Sequence, residues 1–131
     1  MRPALRDQIV AEARAAFPRE CCGLIEGVRE DGAFEITALH PTRNLAYEPD
    51  RFLLDPAEHM ALRRRLRGTG RQIIGCYHSH PDGRAVPSVH DQAFEDGFLW
   101  LIAALDMHSG YSLAAYVPKG GSWDTIALSC S

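Results

Sequence analysis

Two imidazoles and a carboxylate can meet at one ion only if the backbone carries them there, and this requirement constrains the chain more than any other. From Tyr77 the sequence runs His78-Ser79-His80, seven residues, Ser88, two residues, Asp91. Arg71–Tyr77 (Arg-Gln-Ile-Ile-Gly-Cys-Tyr) is short, apolar and β-branched, the composition of a buried strand. Side chains two apart on a strand point to the same side, so His78 and His80 leave its end together. Pro87-Ser88 then reads as a helix start running through Val89-His90-Asp91-Gln92-Ala93-Phe94, with Ser88 as N-cap. Ser88 and Asp91, three apart, share a helix face, and both can look at the strand end.

Neutral imidazole nitrogens bind zinc at about 2.0–2.1 Å, and two of them with one carboxylate oxygen leave a fourth position for water, the arrangement of catalytic zinc. A closed structural site would need another ligand, usually cysteine, and none lies nearby at paired spacing. Each piece has an ordinary reading as well. Ser-x-x-Asp is also a common capping arrangement, His-x-His a common polar strand end, and Ser88 alone reads equally as a plain cap or a catalytic hydroxyl. The combined spacing points to a metal. Asp82 competes with Asp91 as the carboxylate, but Pro81 and Gly83 place it in a turn. His90, next to Asp91, points about 100° away on a helix, and His40, His59 and His108 match no motif.

His-x-His-x7-Ser-x2-Asp with an upstream glutamate resembles the JAMM (MPN-plus, Mov34-type) zinc metalloprotease family. Glu20 followed by Cys21-Cys22-Gly23-Leu24-Ile25-Glu26-Gly27 is similar to that family's first strand. The likeness extends over nearly the whole chain, including Asn44–Pro56 with Phe52 and Asp55-Pro56. It implies an α/β fold, a single mixed, mostly antiparallel sheet flanked by helices and layered like the cytidine deaminases. It also implies one zinc ion (Zn2+) per chain on His78, His80 and Asp91. Glu20 would be the general base, and the Ser88 hydroxyl would help stabilise the tetrahedral intermediate. Glu26, Glu48, Glu58 and Glu95 are nominal competitors for the base, but only Glu20 stands in the matching context, ahead of a strand that would hold it rigidly.

The implied reaction is cleavage after the C-terminal Gly-Gly of a ubiquitin-like β-grasp sulfur-carrier protein, as in the short, stand-alone bacterial-type members. The tail would bind as an added strand, glycine alone threading a channel beside the metal. The chain is too short for the inserted segments with which the ubiquitin-chain-cutting members clamp ubiquitin. Alternatives are a non-catalytic scaffold on the same fold, a less specific zinc peptidase, or a thiol hydrolase using Cys21, Cys22 or Cys76 with a histidine. A zinc deaminase is excluded by the missing Pro-Cys-x-x-Cys ligands.

At 131 residues and 46% apolar content, residues 1–131 are expected to form one domain with a proper core. A net charge of −3 argues against nucleic acid as a partner. No run approaches the roughly 18–20 apolar residues of a membrane span, and the first residues lack the apolar core of a secretory signal, so a cytoplasmic location is expected. Self-association as a homodimer is left open. The four cysteines form neither a zinc knuckle nor a disulfide framework, and Cys22 and Cys76 read as small buried hydrophobes.

Leu5, Ile9, Val10, Ala13, Ala16 and Phe17 recur at helical spacing and are stopped by Pro18. Strands are expected at Cys22–Val28 and Ala33–His40 around an Asp-Gly turn, and a short one at Arg51–Leu54. Pro56 opens a helix over Ala57–Leu66, closed by Gly68. Phe98–Leu105, Tyr111–Val117 and Ser122–Leu128 follow as antiparallel neighbours. Arg63-Arg64-Arg65 with Arg67 reads as a solvated face, with docking of an acidic partner as the alternative. Trp100 and Trp123 read as core or rim aromatics.

Overall fold

The computed structural model describes residues 1–88, 91, 96–106 and 110–128. The N-terminal periodicity becomes helix α1 (Pro3–Ala16), which starts on Pro3 and buries the stripe Leu5, Ile9 and Ala13. Strands β1 (Cys22–Glu30) and β2 (Ala33–Thr42) form an antiparallel hairpin. Its turn needs two positive φ angles, 50° at Asp31 and 78° at Gly32, which aspartate tolerates and glycine adopts freely. Helix α2 (Pro56–Leu66) is capped by Asp55, whose Oδ1 accepts the Ala57 N–H at 2.9 Å, with Pro56 in the first turn.

The strand expected at Arg51–Leu54 does not form. That stretch makes one isolated bridge, Asn44 with Leu54, and the reason is the Asn44 side chain. Its Oδ1 accepts the N–H groups of Ala46 (2.9 Å) and Leu53 (3.0 Å), and its Nδ2 donates to the Arg51 carbonyl at 3.0 Å. A side chain that satisfies the backbone in this way replaces a ladder with a loop.

Strands β3 (Gln72–His80), β4 (Leu99–Asp106), β5 (Gly110–Lys119) and β6 (Ser122–Ile126) complete a six-stranded sheet in the order β2-β1-β3-β4-β5-β6. Only the β3–β4 seam is parallel; every other pairing is antiparallel. Gly75 lies on that seam, where a Cβ would come within 2.0 Å of the Leu99 carbonyl oxygen, so a residue with no side chain lets β4 approach. A parallel pair needs a crossover, and this one, which follows His80, brings Asp91 back against the end of β3 and Ser88 to the cavity beside it. The helix expected over Val89–Phe94 lies outside the described residues apart from Asp91.

Alternation along the strands divides the core into two layers. Ile25, Tyr77 and Leu101 face α1 with Leu5 and Ile9, while Leu24, Cys76 and Trp100 face α2 with Leu62 and Leu66. The sheet is thus mixed, mostly antiparallel and flanked by a helix on each face. Leu24, Ile25, Leu101 and Ile102 are 0% exposed, each contributing about 1.5–3 kcal/mol by burial. Among the described residues no helix is long and apolar enough to cross a membrane.

Candidate active site

His78 and His80 are the last inward-facing residues of β3 on its α2 side, inside the strand rather than beyond it. Ser79 faces the other way and closes the ladder to β1: its N–H donates to the Cys21 carbonyl (3.1 Å) and its Oγ accepts the Cys21 N–H (2.8 Å). Because β1 runs antiparallel to β3, with Cys22 opposite His78, the residue two before β1 arrives beside the imidazoles. That residue is Glu20. Asn44 holds it there, its Nδ2 donating to the Glu20 carbonyl at 3.0 Å while the rest of its amide organises residues 44–53.

The Nε2 atoms of His78 and His80 are 2.9 Å apart, and Asp91 Oδ2 is 3.2 Å from each. His78 is fully buried and His80 nearly so. Phe52 stacks on His78 with ring centroids 4.3 Å apart, and Trp100 meets it edge-on at 5.5 Å. His80 Nδ1 lies 2.7 Å from the Arg84 carbonyl; donating there leaves the Nε2 lone pair facing the site. Asp91 Oδ2 also accepts the Ser88 backbone N–H at 2.9 Å, the reach-back half of a capping box.

Ligands bound tetrahedrally at about 2.0–2.1 Å stand roughly 3.3 Å from one another, close to the spacing of these nitrogen and oxygen donors. Two imidazole lone pairs facing across 2.9 Å need a cation or proton between them. Glu20 offers a carboxylate oxygen within 4.8 Å of both histidines. These side chains could hold a metal ion.

Burial and field tune each group. Burial holds His78 below the ordinary histidine value, against Asp91. In His80 burial works the same way but is outweighed by hydrogen bonds to Asp91 and the Arg84 carbonyl, which raise it. Burial would raise Asp91, yet the hydrogen bonds from His78 and His80 hold it well below the usual carboxylate range. Glu20 is 4% exposed, and its Oε1 has no hydrogen-bond partner among the described residues. Burial pushes its carboxyl up to about 8, with His80 opposing and Asp91, Asp50 and Asp82 adding. A buried carboxyl titrating near neutrality is suited to moving protons.

Beside these groups lies a cavity of about 340 Å³ lined by Pro18, Glu20, Pro49, Asp50, His80, Pro81, Asp82 and Ser88. All five residues singled out from the sequence therefore come together: His78, His80, Asp91, Glu20 and Ser88. Asp82 stays in its turn, its Oδ1 accepting the Arg84 N–H at 3.0 Å, but the turn borders the cavity. Sequence reasoning had no role for Asn44, the Phe52 ring or the Arg84 carbonyl. Phe52 was visible only as part of an apolar run, Phe52-Leu53-Leu54, that suited a strand; a backbone carbonyl leaves no trace in a sequence.

The remaining candidates lie elsewhere. Cys21, Cys22 and Cys76 are free and buried, and desolvation pushes Cys21 up to about 12 and Cys22 to about 11, the opposite of an activated nucleophile. His40 is 2.8 Å from Glu26, and His59 is 3.5 Å from Arg63. Arg63, Arg64 and Arg65 on the last turn of α2 and Arg67 at its C-cap are exposed, where the chain leads into the start of β3, the end away from the histidines.

The model of a family described as prokaryotic homologs of the JAB domain matches residues 2–117. The desampylase of Haloferax volcanii is 36% identical over 108 residues, 77% of this chain and 76% of that protein. The CysO-cysteine peptidase of Mycobacterium tuberculosis is 28% identical over 82% of this chain and 75% of its own. A JAB1/MPN domain protein from Archaeoglobus fulgidus superposes with a TM-score of 0.61 at 20% identity, covering 96% of this chain and 93% of the other, and so shares the fold. A match this long, on a chain whose fold brings a histidine pair, a carboxylate and a buried glutamate together, makes this protein a hydrolase of the JAMM family, belonging to the prokaryotic homologs of the JAB domain.

Proposed function

We propose that this chain is a zinc peptidase that cuts after the C-terminal Gly-Gly of a ubiquitin-like sulfur-carrier protein, with His78, His80 and Asp91 as ligands of one zinc ion. The observation that carries this reading is a buried glutamate whose Oε1 lacks a hydrogen-bond partner among the described residues, set beside a converging pair of imidazoles and a carboxylate. A donor set of two nitrogens and one oxygen, without sulfur, suits a catalytic rather than a structural zinc. The names of the relatives, a desampylase and a CysO-cysteine peptidase, support a carrier-protein substrate.

Zinc, when bound, supplies Lewis acidity for the scissile carbonyl and lowers the pKa of water to about 7. Glu20 takes the proton of the attacking water and returns it to the leaving amine, a role that asks for a carboxyl titrating close to working pH. The Ser88 hydroxyl lines the same cavity and donates to the oxygen on which negative charge develops. Asp91 keeps the two imidazoles aimed at one point, and Arg84 fixes the His80 tautomer through its carbonyl.

Incubating the zinc-loaded enzyme with the Gly-Gly-ending small proteins of its host, and reading their C-termini by mass spectrometry, tests the proposal. Loss of whatever follows Gly-Gly is expected. A carrier with valine in place of the final glycine should stay uncut, because a β-branched side chain cannot enter the channel. Equal cleavage of both tails would leave a general zinc peptidase.

A further inference from the structure

We propose that Asp50 and Asp82 select the leaving group: they reject an amine with a free carboxylate beside the scissile nitrogen and admit one at the end of an uncharged methylene chain, the side-chain amine of a lysine. This inference rests on the Gly-Gly reading above.

In the hydrolysis, the water oxygen bonds to the carbonyl carbon, the C–N bond breaks, and a proton of the water passes to the nitrogen. The water's second proton also ends on the amine, so the products are a glycine carboxylate and an ammonium. Glu20 returns the first proton, so the leaving nitrogen sits against Glu20, and what it carries occupies the adjoining cavity.

That cavity, about 340 Å³, has Pro18, Pro49 and Pro81 as rigid apolar walls, three carboxylates from Glu20, Asp50 and Asp82, and no lysine or arginine among its lining residues. Glu20 Oε1 is buried with no hydrogen-bond partner among the described residues and is the proton-exchanging atom of the cavity, whose negative charge comes from the two aspartates. Asp50 and Asp82 both act electrostatically on Glu20.

A single amino acid cut from a C-terminus would carry its carboxylate within roughly 4 Å of the leaving nitrogen, as bond lengths dictate. Neither lysine nor arginine lines the cavity to pair with it, and the two aspartates face it there. A lysine side chain instead presents four methylenes, which the prolines can flank, and brings no negative charge. Arg51 Nε stands 3.6 Å from Asp50 Oδ1 and screens it in part, so Asp82 carries the larger share of the selection.

The test uses the full zinc-loaded chain and one carrier in three forms. In the first, Gly-Gly is joined to the ε-amine of a lysine within a peptide; in the second, it is followed by a single C-terminal alanine; in the third, that alanine is amidated. The expected kcat/KM for the lysine-linked form exceeds that for the free carboxylate by about tenfold or more, as like charges about 5 Å apart near a surface dictate, and amidation recovers part of the difference. Asp82→Asn keeps the Oδ1 that accepts the Arg84 N–H, so the turn should hold; zinc content checks this. It should narrow the ratio by about three- to tenfold, and Asp82→Lys should narrow it further. Equal or faster cleavage of the free-carboxylate form by the wild type, or a ratio unmoved in Asp82→Asn and in the Asp50→Asn/Asp82→Asn double variant, would overturn this inference alone. Failure to cut any of the three forms would overturn the Gly-Gly reading and this inference with it.

Discussion

A carboxyl that burial lifts to about 8 stands ready to exchange a proton at working pH, and Glu20 is placed to do so by two groups that it does not choose. One is the β1–β3 register, the other the Asn44 amide. Glu20→Gln keeps size and hydrogen bonding but cannot accept a proton. Turnover should fall about 10²–10⁴-fold with zinc retained, as elemental analysis beside kinetics would show. His80→Ala should lose zinc and activity together, and full occupancy in that variant would misplace the site. At this scale the site was readable because the motif residues are chemically distinctive and close in sequence. Asn44 was not, because its partners Glu20 and Arg51 are defined only when two loops meet.

Among the elements, the β1–β2 hairpin contains a register shift at Glu26/Gly27, and a buried carboxylate sits on it. Glu26 accepts from His40 Nε2 (2.8 Å), Thr37 Oγ1 (3.2 Å) and Arg71 Nε (3.1 Å), so it ties together β1, β2 and the residue preceding β3. Burial alone would raise its carboxyl; the hydrogen bonds from His40 and Thr37 and the Arg71 charge more than offset this and lower it. A carboxyl depressed in the folded state binds fewer protons there than in the unfolded chain, so its stabilisation is complete above the unfolded value of about 4.5 and is lost as pH falls through the folded one. Glu26→Gln should therefore cost about 1.5–3 kcal/mol at pH 7, the range for hydrogen bonds to charged groups. Denaturant titrations should show the gap narrowing steadily as pH falls below about 4.5; a gap of the same size at acid pH as at pH 7 would deny the ionic contribution.

The elements themselves were largely foreseeable, since α1, α2 and the strands follow from apolar periodicity and from Pro and Gly punctuation. Strands β1 and β2 run two residues past the expected ends, because pairing carries along the polar Arg29, Glu30 and Thr42 and the strand-averse Pro41. Arg51–Leu54 failed as a strand for the opposite reason. Its composition suited one, but Asn44 had already taken its backbone groups.

For the molecule as a whole, the metal and the thiols should behave in opposite ways. Binding that favours only the folded state stabilises by mass action, about 2.7 kcal/mol at a hundredfold excess over Kd, so a chelator should lower Tm and abolish turnover together. A thiol at about 11 is thiolate to about one part in a thousand at pH 8, and Cys22 is 1% exposed, so iodoacetamide on the native enzyme should leave both unchanged. Inactivation by the alkylator with zinc still bound would restore the thiol hydrolase.

What the sequence by itself determined is the chemistry on offer: two imidazoles spaced to share one side of a strand, a carboxylate and a hydroxyl three apart, and a glutamate ahead of an apolar run. These follow from backbone periods of about 2 and 3.6 residues, which act over a few positions. The tertiary structure decided how they meet. The antiparallel β1–β3 pairing brings Glu20 to His80, and the crossover after β3 returns Asp91 to within 3.2 Å of both rings. Phe52 and Trp100 enclose His78, and Asp50 and Asp82 come to line the adjoining cavity. Burial, strand register and the field of neighbouring charges depend on residues far apart along the chain, and no local period encodes them.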